Sequence, residues 1–134
     1  MPSWHESRLR VRFEETDMMG VVYYANFFTW LEVGRVNLFR DLGITLHDLA
    51  SKGHHIPVVQ AHADYKASAR FDDEILVKTR IGRVGTSSMR FENEVYKLPQ
   101  MTLLCRGHTV HAMIDGRGRP SPIPDGLRKR LGSS

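Results

Sequence analysis

Apolar and polar side chains alternate strictly from Arg8 to Phe13, with Leu9, Val11 and Phe13 against Arg8, Arg10 and Arg12. A period of two predicts a half-buried strand with one basic face. Further on the period changes. Phe27, Trp30, Leu31, Gly34, Leu38 and Leu42 recur at helical spacing, and Phe28, Val33, Val36 and Phe39 add a second apolar flank. This predicts a helix from Asn26 to about Leu42, buried on most sides. Asn26 suits the N-cap and Gly43 the stop. A helix of that length spans roughly 24 Å, about the width of a small sheet. Gly34 in its middle costs about 1 kcal/mol relative to alanine, so close packing is expected there. Glu32 and Arg35, three apart, are placed to pair.

Thr45 to Lys52 reads as a short capped helical segment, and Gly53-His54-His55 as a loop. Four strand-like runs follow Pro57: Val58 to Ala67, Glu74 to Arg83, Ser87 to Leu98 and Met101 to Asp115. The links between them are short and carry turn chemistry, Asp72-Asp73, Gly85-Thr86 and Leu98-Pro99-Gln100, which favours antiparallel neighbours. In the last two runs Met89, Phe91 and Val95, then Leu104, Val110 and Ile114, fall at even spacing. Asp115 to Pro120 ends the sheet, and a tail with Pro122 and Pro124 leads to a short basic helix. The order is strand, long helix, four-strand meander, with no repeat and no βαβ alternation. The expected fold is α+β: one domain over residues 1–134, its core at about 8–115, its tail at 116–134. An antiparallel five-stranded sheet wraps a long central helix. One sheet cannot cover so apolar a helix, so a second copy of the chain is expected on its other side.

A chain of 134 residues is long enough for one real core and short for two. Hydrophobic residues at 41% and charged residues at 25% are ordinary for a soluble globular protein. No run of about 18 apolar residues predicts a membrane span, and Met1 to Glu6 lacks a basic-then-apolar export pattern. Cys105, the single cysteine, follows Leu103 and Leu104 and reads as a small core residue. These features favour the cytoplasm. The net charge of +4 attracts polyanions without naming one. Nucleic acid is the weakest partner: only the Arg8/Arg10/Arg12 face and Arg128-Lys129-Arg130 speak for it, with no interleaved aromatics. The seven histidines show no zinc spacing; His54 and His55 are adjacent, and His108 and His111 point to opposite faces of a strand. No metal is expected.

Between the first strand and the helix lies Thr16-Asp17-Met18-Met19-Gly20-Val21-Val22-Tyr23-Tyr24-Ala25-Asn26. It sets one carboxylate, Asp17, in a glycine-containing turn before a helix start, where N–H groups lack partners and the dipole is positive. Such a carboxylate is either a structural cap or part of a reaction centre, and both readings stand on the residues alone.

Thr16-Asp17-x-x-Gly20-x-Val22-Tyr23-Tyr24-x-Asn26-Phe27, with Trp30-x-Glu32-x-x-Arg35 and Gly43 behind it, resembles the hotdog-fold acyl-CoA thioesterases of the 4-hydroxybenzoyl-CoA thioesterase and YbgC-like type. The resemblance runs from about Arg8 to Ile114. It implies a helix wrapped in a sheet, dimers joined sheet edge to sheet edge, often a dimer of dimers, and an acyl-CoA cleft at the dimer interface. It implies no cofactor beyond the coenzyme A of the substrate, and acyl carrier protein as a possible alternative carrier. Asp17 is then the general base or nucleophile, kept ionised by the helix end, and the backbone N–H groups near Tyr24 and Asn26 polarise the thioester carbonyl. Tyr24 stands where YbgC-like relatives often carry histidine, and its hydroxyl is expected to orient water or substrate. Gly20, Val22, Tyr23, Asn26, Met18 and Met19 are the expected substrate-binding residues. Coenzyme A phosphates are expected at Arg83, Ser87, Ser88 and Arg90, or at Lys66 and Arg70. Glu32 is the alternative acid, since the His-Gly-Gly signature of other hotdog branches is absent. Two further functions remain: a hotdog dehydratase or hydratase using His54 or His55, and a non-catalytic acyl-CoA or acyl-carrier-protein binding module.

Overall fold

The computed structural model describes residues 3–132; residues 1, 2, 133 and 134 lie outside the described set. Five strands, β1 (His5–Arg10), β2 (Val58–Tyr65), β3 (Glu74–Val84), β4 (Ser88–Lys97) and β5 (Thr102–Ala112), form one sheet in the order β1-β3-β4-β5-β2. Every neighbouring pair is antiparallel. The long helix α1 (Asn26–Asp41) lies in the hollow of the sheet, and two short helices, α2 (Leu46–Ser51) and α3 (Asp125–Arg130), close one end. Thr45 caps α2 as expected, its hydroxyl accepting from Asp48 N–H at 3.0 Å.

Three sequence expectations change. First, β1 starts at His5 and stops at Arg10, three residues before Phe13. Val11 is bonded instead to the Asp72–Asp73 turn, its N–H donating to Asp73 O and its O accepting from Asp72 N–H, which takes the chain off β3. A 3₁₀ turn follows at Phe13–Glu15, so Phe13 is 75% exposed, edge-on to Phe71. Second, Asn26 is the first helical residue of α1, and Ala25 holds the N-cap without a side-chain bond. The Asn26 amide instead donates to Glu15 O at 2.9 Å. Third, the even apolar phase of β5 fails beyond Leu104. The register slips between Val95 and Tyr96, opposite Leu103–Cys105, so odd positions turn inward from there. Cys105, Thr109, His111 and Met113 are buried and Val110 is not.

The core has two halves along α1. Near its start, Phe27, Trp30 and Leu31 pack on Val11, Val22, Ala69, Ile75, Val77, Val95, Leu104 and Cys105. Near its end, Leu38 and Phe39 meet Met89, Phe91 and Met113. Ile123, Leu127 and Leu131 complete that second half, so the tail contributes to the core through these three side chains. Gly34 lies between the halves. A Cβ there would sit 3.0 Å from Val77 Cγ1 and collide with Thr79 Oγ1. At the sheet edge β2 is mostly uncovered, with Val58, Val59 and Tyr65 exposed.

Candidate active site

The loop between β1 and α1 is held from three sides. Thr16 and Val22 bridge its base, Asp17 N–H donates to Val21 O at 2.9 Å, and Gly20 N–H to Asp17 O at 2.9 Å. Gly20 has φ +79°, a left-handed conformation natural to glycine. From outside, Val22 N–H donates to Ala69 O at 2.8 Å and Arg70 Nη1 to Gly20 O at 3.4 Å.

From beneath, Glu15 anchors the loop. It is 4% exposed, and its carboxylate accepts from Arg12 N–H at 2.8 Å and Trp30 Nε1 at 3.0 Å. Its carbonyl accepts from Tyr23 N–H and from the Asn26 amide, each at 2.9 Å. One acid thus ties the turn, the loop and the first turn of α1. Sequence reasoning passed over it. The available signal was the buried Trp30 indole, which needs an acceptor.

Asp17 has the opposite character. Its Oδ1 accepts from Met19 N–H at 2.8 Å, an Asx turn that fixes the carboxylate. Oδ2 has no hydrogen-bond partner among the described residues. Near it the Tyr23 phenol is pushed above its ordinary pKa, chiefly by interaction with the Tyr24 phenol, with the Asp17 charge contributing. The rings of Tyr23 and Tyr24 lie 4.8 Å apart, and Tyr24 meets Tyr65 edge-on at 6.1 Å. Tyr65 is a second residue sequence reasoning missed. Its hydroxyl donates to Tyr24 O at 2.9 Å and its ring abuts Phe27.

Of the donors expected near Tyr24 and Asn26, the structure leaves the first free and occupies the second. Asn26 N–H is occupied by Tyr23 O at 2.9 Å, Phe27 N–H by Tyr24 O and Phe28 N–H by Ala25 O. The N–H groups of Tyr24 and Ala25 have no partner among the described residues. The free N–H groups therefore sit one and two residues before Asn26.

Of the expected substrate-binding residues, Met18 (104% exposed), Met19, Gly20 and Tyr23 surround Asp17 and are open to solvent. Val22 turns into the core at 6% exposure and Asn26 donates its amide to Glu15 O, so both side chains face the protein and hold the loop. The two phosphate sets part company. Arg70 and Lys66 follow β2 beside the loop, Lys66 N–H donating to Leu104 O. Arg83, Ser87, Ser88 and Arg90 surround the β3–β4 turn at the α3 end, where Arg128 donates to Gly85 O and Thr86 O. Within one protomer that turn lies at the far end of α1 from Asp17. Arg90 there leans on Glu92 at 3.4 Å. His54 also belongs to the far end, in a cavity with Lys52 and Arg130. Glu32 and Arg35 do not pair within 4.0 Å, and Glu32 is exposed on α1. Among the described residues no helix is long and apolar enough to cross a membrane.

The putative acyl-CoA thioesterase YneP of Bacillus subtilis is 33% identical over 82% of this chain and 79% of its own. The acyl-CoA thioesterase YbgC of Haemophilus influenzae is 31% identical over 86% of this chain and 83% of its own. The 1,4-dihydroxy-2-naphthoyl-CoA thioesterase Slr0204 of Synechocystis superposes with a TM-score of 0.90, covering 97% of this chain and 96% of its own. At 23% identity that likeness speaks for the fold, a hotdog. The thioesterase-like superfamily model matches residues 11–131, which takes in the loop, α1 and the whole meander, and the chain belongs to that family.

Proposed function

We propose that the protein hydrolyses acyl-CoA thioesters to the free acid and coenzyme A, with Asp17 as its catalytic carboxylate. The observation that carries this is the pairing of an anchored carboxylate, one oxygen uncommitted, with the two unpartnered N–H groups of Tyr24 and Ala25. A thioester needs a nucleophile on one side and donors for the developing oxyanion on the other. With the carbonyl oxygen on those N–H groups, Asp17 Oδ2 takes a proton from a water as its oxygen attacks the carbonyl carbon. The tetrahedral intermediate collapses, the C–S bond breaks, and the proton passes to the departing thiolate. In the nucleophilic variant Asp17 itself attacks, forming an anhydride that water then cleaves. Oxygen from labelled water enters the carboxylate of Asp17 in a single turnover only in that variant.

Met18, Met19, Tyr23 and Tyr24 offer an apolar rim for the acyl group, and Lys66 and Arg70 the charge for coenzyme A phosphates. We further propose a homodimer joined along the exposed β2 edges, whose unpaired backbone groups invite a second strand, and a dimer of dimers beyond it. The test is a hydrolysis screen against short, long and aromatic acyl-CoAs, read by thiol release. Asp17→Asn is expected to lower kcat at least about a hundredfold with the fold unchanged. Near-normal turnover in that variant removes Asp17 from the chemistry. Binding of acyl-CoA without turnover by the unmodified protein favours a binding module.

A further inference from the structure

Among the described residues the N–H groups of Tyr24 and Ala25 are without partners, and each has a carbonyl across its own peptide. Tyr24 N–H lies opposite Tyr23 O, which accepts from Asn26 N–H at 2.9 Å. Ala25 N–H lies opposite Tyr24 O, which accepts from Phe27 N–H at 3.2 Å. A trans peptide is planar, so its C=O and N–H point in opposite directions. Whatever holds the carbonyl therefore aims the N–H.

Tyr24 O has a second donor, from outside the loop. The Tyr65 hydroxyl, on the last residue of β2, reaches it at 2.9 Å, closer than the N–H of Phe27. The two donors engage both lone pairs of that carbonyl, so turning Ala25 N–H elsewhere breaks two bonds. Tyr65 is itself held in place. Its backbone stands in register with Cys105 of β5, and the next residue, Lys66, donates its N–H to Leu104 O at 2.8 Å. Its ring meets Phe27 edge-on at 5.3 Å and Tyr24 at 6.1 Å. Burial, with Cys105 and Tyr24 adding to it, raises the Tyr65 pKa above its ordinary value, so the hydroxyl keeps its proton at neutral pH. A donor on a carbonyl also polarises the amide, which strengthens the N–H on the other side.

We propose that Tyr65 is a positioning residue for thioester hydrolysis: its hydroxyl clamps the Tyr24–Ala25 peptide so that Ala25 N–H faces the thioester carbonyl oxygen. This rests on the hydrolase reading above, which names the donors and leaves open what aims them. Tyr65 touches no reacting atom and acts through the backbone of Tyr24. It also ties the donor to the edge strand of the sheet, which no bond within the loop does.

Tyr65→Phe tests the clamp, because it removes the hydroxyl and keeps the ring against Phe27 and Tyr24. With the acyl-CoA turned over fastest in the hydrolysis screen, kcat is expected to fall about tenfold and KM to stay within about twofold of wild type. Deleting an oxyanion donor outright costs about a hundred- to a thousandfold; here the donor remains and loosens. The specific signature is the carbonyl stretch of the same acyl-CoA, isotopically labelled at the thioester carbon and bound to Asp17→Asn, where turnover is slow. The stretch is expected below its frequency in free acyl-CoA, and adding Tyr65→Phe is expected to move it back towards the free value. Circular dichroism and sedimentation of Tyr65→Phe are expected to match wild type. Wild-type kcat in Tyr65→Phe, or a stretch that does not move, overturns the clamp and leaves the hydrolase reading standing. A raised KM at unchanged kcat places the hydroxyl against the acyl group and overturns it too, as does a loss of kcat that comes with dissociation of the assembly. If Asp17→Asn turns over normally while Tyr65→Phe lowers kcat, the carboxylate assignment falls and the clamp stands. A wild type that hydrolyses no acyl-CoA overturns both.

Discussion

Glu15 and Asp17 are two residues apart and do opposite work. Glu15 is buried with both carboxylate oxygens bonded; Asp17 keeps one oxygen uncommitted at the surface of its turn. Glu15→Ala leaves the Arg12 N–H and the Trp30 indole without acceptors, and is expected to lower unfolding free energy by about 2–4 kcal/mol, read by urea titration. Activity should fall with it, because the same residue positions Tyr23 and Asn26. Arg70→Ala removes a solvated charge beside the loop, so KM for acyl-CoA should rise roughly two- to fivefold at unchanged kcat. A matching change in kcat would mean that the Arg70–Gly20 contact shapes the loop itself. Asp17 was legible in the chain because a carboxylate, a glycine and a helix start stand together within a few residues. Glu15 was not, because its meaning depends on Trp30, fifteen residues on. That Asn26 N–H is taken while Ala25 N–H is free was also hidden. Three short turn bonds at Asn26, Phe27 and Phe28 consume the donors that a helix start ordinarily leaves open.

At the scale of elements, the mid-helix Gly34 was correctly read as a point of close approach, and the structure supplies the neighbour. Thr79 Oγ1 donates to Asn93 at 3.0 Å in the buried layer and cannot turn aside freely. Gly34→Ala is therefore expected to destabilise the protein by about 1–3 kcal/mol despite alanine's better helix propensity, because overpacking outweighs it. Gly107 plays a matching part in the sheet: a Cβ there would come within 2.6 Å of the His62 carbonyl of β2. Gly107→Ala should pry the edge strand from β5, seen as faster amide exchange in β2 than in β3 or β4. The period-two pattern predicted five strands and missed the register shifts at Val58/Gln60, Ile81/Arg83 and Val95/Tyr96. The slip beside Leu104 and Cys105 moves a buried histidine and threonine into positions that a simple alternation assigns to Val110.

For the molecule as a whole, His111 makes the fold sensitive to acid. It is 1% exposed, bonded to Ile56 O and Thr109 Oγ1, and burial depresses its pKa from 6.5 to about 4. The unfolded chain binds this proton more readily than the folded one, so the stabilisation is complete above pH 6.5 and is lost as pH falls towards 4. A loss of up to about 3 kcal/mol over that interval is expected from this group. His111→Gln, which retains a donor and an acceptor, should flatten that part of the stability–pH curve. A curve equally steep in that variant assigns the acid sensitivity elsewhere.

The far half of the core has a consequence for how the protein is made. Leu38, Phe39, Met89 and Met113 wait for Ile123, Leu127 and Leu131, while the half around Phe27 and Trp30 needs nothing beyond Cys105. The half of the core around Phe27 and Trp30 can therefore close while the other half still exposes its apolar residues. A chain that ends before residue 123 holds the Asp17 loop on a finished half-core and an unfinished body, and that is the species a chaperone or a protease would meet.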